Sequence, residues 1–230
     1  SQTCRDPGLT GDEVACSVCG AAFRPTLALH VAQEPGARRY YCSPACHDHG
    51  AAPRVVTPAA RARAIAVLNQ KGGTAKTTTA VSVAAGFAHL GHRTLLVDLD
   101  PQGNASSAFV KDKNQLGKTV YDALVHGDDP FDVVKKTRFS NIDILPANSS
   151  LAGATIELVG KKNREFMLDE LLKKVEKRYD YIIIDLPPSL GLFMINALAA
   201  SDRVIVPIQC EYYALEGLAE LLRTMGLVKK

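Results

Sequence analysis

No apolar run in this 230-residue chain approaches the roughly 20 residues that a membrane-spanning helix needs, so no transmembrane segment is expected. The first residues lack a basic stretch followed by an apolar one, so no secretory leader is expected either. Charge is not one-sided: 27 Lys and Arg stand against 24 Asp and Glu, a net +3. That balance permits contact with nucleic acid or an anionic surface without arguing for either. There is no internal repeat. What remains is ordinary soluble-protein composition, 47% hydrophobic and 22% charged. The length suits one large domain, or a medium one with a small companion.

Lysine is missing from residues 1–63, which hold seven Arg, whereas residues 64–230 hold fourteen Lys and six Arg. Five of the six cysteines, Cys4, Cys16, Cys19, Cys42 and Cys46, also fall in the first 46 residues. Between the two compositions runs "GAAPRVVTPAARAR", with two prolines and many small residues, which reads as a linker. The expected organisation is a small module over 1–50, a linker over 51–63 and a larger domain over 64–230.

Within the module, Cys16-x2-Cys19 is followed 22 residues later by Cys42-x3-Cys46. Two short Cys pairs brought together supply four thiolates in a tetrahedron, the arrangement structural zinc prefers. "RRYYCSPAC" reads as a strand over 39–41 leading to a helix start near Ser43, whose dipole would favour a Cys46 thiolate. So short a segment buries little apolar surface, and a metal would supply folding energy. Disulfides or unpaired thiols are the alternatives, and His47 or His49 could stand in for a Cys ligand. Cys4 lies outside the pattern. The run "CSVCG…YYCSPACHDH" also resembles treble-clef-like bacterial zinc modules of the YHS/TRASH type.

From Ala64 onward, short apolar runs alternate with helical patterns. "AIAVLN" (64–69), "TLLVD" (94–98), "IDILPA" (142–147), "YIIID" (181–185) and "RVIVPI" (203–208) read as strands. Helical patterns lie at 77–91, 151–159, 164–178, 192–200 and 215–228. Such alternation implies an α/β fold, a mostly parallel sheet with helices on both faces, where ligands sit beyond the carboxyl ends of the strands.

One strand–helix junction holds "NQKGGTAKTTTA", residues 69–80. The general phosphate-loop pattern is G-x-x-x-x-G-K-[ST]. Here Gln70 takes the first glycine slot, Ala75 the second, and Lys71 is an added cation. Lys71, Gly72, Gly73, Thr74, Ala75, Lys76, Thr77 and Thr78 are the candidate nucleotide-binding residues. Gly72 and Gly73 let successive N–H groups turn inward, and the helix N-terminus favours the same anion. Lys76 is placed to reach the β- and γ-phosphates and the Thr77 hydroxyl to ligate Mg²⁺. The Ala75 methyl is tolerated at the phosphate provided that φ there is negative. Asp98, Asp100 and Asp185 end or follow apolar strands, the location a magnesium-side carboxylate requires.

"NQKGGTAKTTTAVSVAAGFAHLGHRTLLVDLDPQGNASS", "LAGATIELV" and "YDYIIIDLPPSLGLFMINALAASDRVIVPIQCEYYALEGL" resemble the ParA/Soj chromosome- and plasmid-partitioning ATPases. These form, with MinD, the deviant Walker A group of P-loop NTPases. The resemblance covers 64–230. It implies an ATP-dependent homodimer in which Lys71 reaches across to the partner's phosphates, with Lys76 and Asp100 completing the catalytic set. Asp100 would orient the attacking water, Asp185 hold Mg²⁺ through water, and Asp98 support the magnesium side. It further implies slow hydrolysis of Mg·ATP, stimulation by a ParB-like protein, and a cytoplasmic, nucleoid-associated location. Further strands, an adenine-contacting segment and residues binding DNA non-specifically would lie beyond Lys230, so a C-terminally incomplete domain is expected. A MinD-like membrane-associated ATPase, a hydrolysis-deficient nucleotide-binding regulator and a metal-cluster carrier are the competing functions.

Overall fold

Alternate residues of the central strands fall into two separate apolar clusters, and that alternation sets up the layers. In the strand Arg63–Val67 (β5), Ala64 and Ala66 join one cluster while Val67 joins the other. In Thr94–Asp98 (β6), Leu95 and Val97 face the first and Leu96 the second; in Tyr181–Asp185 (β9), Ile182 and Ile184 oppose Ile183. A strand with both faces apolar must be covered twice. The computed structural model, which describes residues 13–26, 31–34, 37–44, 46, 61–110, 116–189 and 191–228, shows both covers. It divides into two compact units, Ser1–Val55 and Val56–Lys230.

In the larger unit the sheet order is β10-β5-β9-β6-β8-β7, where β7 is Lys135–Lys136, β8 Ile142–Leu145 and β10 Arg203–Ile205. All neighbours are parallel except β7, which pairs antiparallel with β8 at one edge. The helix Lys76–His89 (α1) covers one face through Ala80, Ala84 and Ala88, a stripe four residues apart whose small side chains allow close approach to the sheet. Gly91, at φ +89°, ends it, with its N–H on the Ala88 carbonyl. The other face is covered by Leu151–Glu157, Met167–Val175 and Leu192–Ala200. Leu168, Leu171, Leu172 and Val175 form the buried stripe of the second of these helices. Buried Asn196 fastens the third to it, accepting from Leu168 N at 3.0 Å and donating to Arg164 O at 2.8 Å.

Two strands stop earlier than their apolar runs suggest, and proline is the reason in both. Pro146 follows β8 at once, and Pro207 interrupts the run after β10; neither has an N–H for the ladder. Three helical segments escape the periodicity because they are one or two turns long: Asn104–Phe109 (α2), the π-helical Asp122–His126 and Pro130–Val133. The last is legible from its cap, since Asp129 accepts from Phe131 N at 3.0 Å and proline opens the helix. The final helix is Tyr212–Val228. No described helix is long and apolar enough to cross a membrane.

The smaller unit contains two antiparallel pairs, Val14–Ala15 (β1) with Ala22–Phe23 (β2), and Val31–Glu34 (β3) with Ala37–Tyr40 (β4). The turn of the first carries Cys16 and Cys19 and closes at Gly20, φ +74°. Ser17 ties that turn to the second pair, its N–H on Tyr40 O at 2.7 Å and its Oγ accepting from Tyr40 N at 3.0 Å. Pro44 and Cys46 are helical, just beyond the strand end. Cys4, His47, His49 and residues 51–60 of the expected linker lie outside the described residues.

Candidate nucleotide site and cysteine cluster

Sheet order brings the chemistry together. β9 lies between β5 and β6, so Asp185 at its carboxyl end sits between the loop that follows β5 and the Asp98 that ends β6. Asp98 and Asp185 are register partners, and both follow the face of Leu96 and Ile183, the face α1 covers. The loop then opens into a cleft of about 540 Å³ lined by Gly72, Lys76, Thr77, Asp100, Asn104 and Pro188, among others.

Within the loop, Lys76 is only 7% exposed and donates from Nζ to the Lys71 carbonyl at 3.0 Å. Burial lowers the pKa of its ammonium, and the Asp185 and Asp100 carboxylates oppose that fall. Thr74 Oγ1 donates to the same carbonyl at 3.2 Å. The loop is also held from outside. Asn69 donates from Nδ2 to Pro207 O at 2.7 Å and accepts from Lys71 N at 3.0 Å, while Gln209 Nε2 reaches Gly73 O at 3.3 Å. Lys71 Nζ lies 2.6 Å from Glu211 Oε2, both side chains about half exposed.

Ala75 does not meet the condition under which its methyl is tolerated. Its φ is +60° and ψ +30°, left-handed rather than the negative φ that would make its methyl harmless. The chain must turn there to enter α1, and Ala75 N-caps the helix with no side-chain hydrogen bond. A non-glycine residue in this region costs roughly 1–2 kcal/mol. The position asks for glycine and holds alanine.

The three carboxylates have different surroundings. Asp185 is 0% exposed, and neither oxygen has a hydrogen-bond partner among the described residues. Burial pushes its pKa up to about 7; the Thr77 hydroxyl is close enough to oppose that rise without meeting hydrogen-bond geometry, and Asp98 and Asp100 add to it. An unpartnered carboxylate beside a hydroxyl is a donor set that suits a hard divalent cation with its waters. Asp100, 8% exposed, lines the cleft; its Oδ1 accepts from Gln102 N at 2.9 Å. Asp98, expected on the magnesium side, is engaged with protein instead. Its Oδ1 accepts from Asp100 N at 3.0 Å, and its Oδ2 accepts from both the N–H and the Oγ of Ser106 at 2.7 Å. Asn69, Gln209, Glu211 and Ser106 were not singled out from the sequence. Asn69 stands inside the loop motif, Gln209 and Glu211 depend on contacts far along the chain, and Ser106 depends on where the short helix after β6 sets it.

In the smaller unit, the four sulfurs of Cys16, Cys19, Cys42 and Cys46 lie within 4.8 Å of one another. Cys19 and Cys42 are 3.5 Å apart and Cys42 and Cys46 3.7 Å. A zinc tetrahedron with 2.3 Å bonds places sulfurs about 3.8 Å apart, whereas a disulfide requires about 2.05 Å. All four cysteines are free thiols. The Cys19 N–H is the chief cause that lowers the Cys16 thiol to about 6, with the Cys42 N–H helping and burial opposing.

Comparison with known proteins adds the family. A family model described as an AAA domain matches residues 62–230. The chain belongs to that family. Its relatives include the sporulation initiation inhibitor protein Soj of Bacillus subtilis (strain 168), 55% identical over 166 residues, covering 72% of this chain and 66% of Soj. The chromosome partitioning protein ParA of Myxococcus xanthus (strain DK1622) is 49% identical over 168 residues, covering 73% of this chain and 59% of that one. Among solved structures, cobyrinic acid a,c-diamide synthase from Mycobacterium smegmatis with bound ADP and magnesium superposes with a TM-score of 0.70 at 42% identity, covering 73% and 68%. The AAA domain is therefore of the Soj/ParA type, and the chain spans less than two thirds of those two curated relatives.

Proposed function

We propose that the chain is part of a ParA-type ATPase that binds Mg·ATP at the 71–78 loop and hydrolyses it slowly to ADP and phosphate. The observation that carries this reading is Asp185, buried with both oxygens unpartnered beside the loop that presents Lys76 and Thr77. Thr77 and Asp185 would hold the magnesium, which when bound neutralises charge on the phosphates. Lys76 would bind the β- and γ-phosphates, giving up its present bond to the Lys71 carbonyl. Asp100, at the cleft wall, would orient the water that attacks the γ-phosphorus; the bond to the β–γ bridging oxygen breaks and ADP departs. Lys71 is paired with Glu211 and is not among the residues that line the cleft, which suits a lysine whose phosphates belong to a second subunit. Such a site couples ATP state to dimerisation. We infer that its work is chromosome partitioning, with DNA as cargo, a ParB-like stimulator and a nucleoid-associated location in the cytoplasm; the printed name of the Myxococcus xanthus relative supports the partitioning part of that reading. The test is Mg-dependent phosphate release by this chain, with Lys76→Ala and Asp100→Ala alongside. Release that requires both residues supports the reading; equal rates in all three proteins defeat it.

We infer separately that the 1–50 module binds one Zn²⁺ through Cys16, Cys19, Cys42 and Cys46. The support is four free sulfurs at near-tetrahedral separations. Metal analysis of the full chain is expected to give one zinc per chain, lost in Cys19→Ser. Equal zinc content in that variant would overturn the assignment.

A further inference from the structure

Asp98 and Ser106 form a buried network that the proposed chemistry does not use. Asp98 ends β6 and is 0% exposed, and Ser106, in the first turn of α2, is also 0% exposed. The Ser106 hydroxyl donates to Asp98 Oδ2 and accepts from Ala147 N at 2.9 Å, just past β8. The serine is thus satisfied as donor and acceptor, and it ties the ends of two neighbouring strands to the start of a helix. On its other oxygen Asp98 holds the N–H of Asp100. Asp100 is fixed twice more, by Gln102 N on its carboxylate and by Gly103 N on its carbonyl at 2.8 Å. The 98–103 segment is therefore a closed turn, tied to the sheet by the Leu99 N–H on the Asp185 carbonyl at 2.9 Å and, on the side of Asp100, by the Asp98 carboxylate and Ser106.

We propose that Asp98 and Ser106 are positioning residues, which hold the backbone of Asp100 so that its carboxylate stays at the wall of the nucleotide cleft. Burial argues for this role over magnesium binding. Asp98 accepts three hydrogen bonds from protein donors, and turning it toward a cation would draw its oxygens away from the Ser106 N–H and the Asp100 N–H in a buried site. Asp185, one strand away, has no such commitments. The division of labour follows: one carboxylate of the register pair is free for the metal and the other is occupied in shaping the turn. A misplaced catalytic group lowers turnover without weakening binding of the substrate's distant parts.

The proposal rests on the ATPase reading, and the experiment separates the two. Steady-state hydrolysis is measured for wild type, Ser106→Ala and Asp98→Asn, with the dissociation constant and stoichiometry of a fluorescent ATP analogue determined on the same preparations. No Mg-dependent hydrolysis by wild type defeats the ATPase reading itself. With wild type active, the expected result is a kcat about tenfold lower in Ser106→Ala, equivalent to about 1.4 kcal/mol, and a larger fall in Asp98→Asn. Analogue affinity should stay within about twofold and stoichiometry should not change. A merely structural role would lower the stoichiometry or weaken binding instead. An unchanged kcat in Ser106→Ala, or analogue binding weakened in proportion to kcat in both variants, overturns the proposal.

Discussion

Asp180 and Asp185 bracket the same strand, and the protein treats them in opposite ways. At the amino end, Asp180 is nearly buried and fully partnered: Arg93 donates to it from its backbone N–H at 2.8 Å and from its guanidinium at 2.9 Å. At the carboxyl end, Asp185 is wholly buried and partnered by nothing described. Burial pushes both carboxyls up. Arg93 more than cancels that at Asp180, whose pKa ends below its usual value, while Asp185 rises to about 7. One end of the strand has its carboxylate fully partnered; the other has a carboxylate without a described partner, as the proposed magnesium site requires. A buried charge without a partner is a cost that folding alone would remove.

The largest expected effect is at the incomplete end. Lys76→Ala should lower ATP hydrolysis by about a hundredfold or more, the scale on which single groups that stabilise developing charge act. Phosphate release assays check it.

The next effect sharpens the comparison itself. Asp180→Asn should destabilise the chain by about 2 kcal/mol at neutral pH, the worth of hydrogen bonds to a charged group, moderated by the half-exposed Arg93. Asp185→Asn should leave the nucleotide-free chain as stable or more so. The pH dependence at Asp180 has a definite sign. Because its folded pKa is depressed, the stability it contributes is present above the unfolded value near 3.9, and is lost as pH falls through the folded value. The gap between wild type and Asp180→Asn in urea unfolding should therefore close below about pH 4.

A smaller change is expected in the loop. Ala75→Gly relieves a left-handed alanine worth roughly 1–2 kcal/mol, against about 0.4–1 kcal/mol of added unfolded-chain entropy. A net gain of about 0.5–1 kcal/mol should appear as a rise of a few degrees in Tm. A fall in Tm would mean the turn is not left-handed in solution.

The smallest concerns the exposed pair of Lys71 and Glu211. Glu211→Gln should change stability by less than about 1 kcal/mol, since both partners are half in water. Measured beside Asp180→Asn, it separates an ion pair that structures the fold from one that only parks a side chain.

Much of this was legible in the sequence. The loop, the strands ending in Asp98 and Asp185, and the cysteine spacing are local patterns; parallel-sheet order brings the loop and the two carboxylates together, and within the smaller unit the four cysteines meet one another. The sign of φ at Ala75 was not legible, because a methyl and a left-handed turn conflict only in three dimensions. Nor was the different engagement of Asp98 and Asp185. Both follow apolar runs, and only the arrival of Ser106 from the next helix distinguishes them. Glu211 and Gln209 reach the loop across more than 130 residues of chain, beyond any local pattern.

If Asp185 is held unpaired for a magnesium-bound nucleotide, the gain that magnesium brings to nucleotide binding must depend on its carboxylate. Thermal unfolding of wild type and Asp185→Asn, each with a non-hydrolysable ATP analogue in the presence and absence of Mg²⁺, tests it most directly. Mg²⁺ should add several degrees to the analogue's stabilisation of wild type and add nothing in Asp185→Asn. An equal magnesium-dependent rise in both proteins would contradict it.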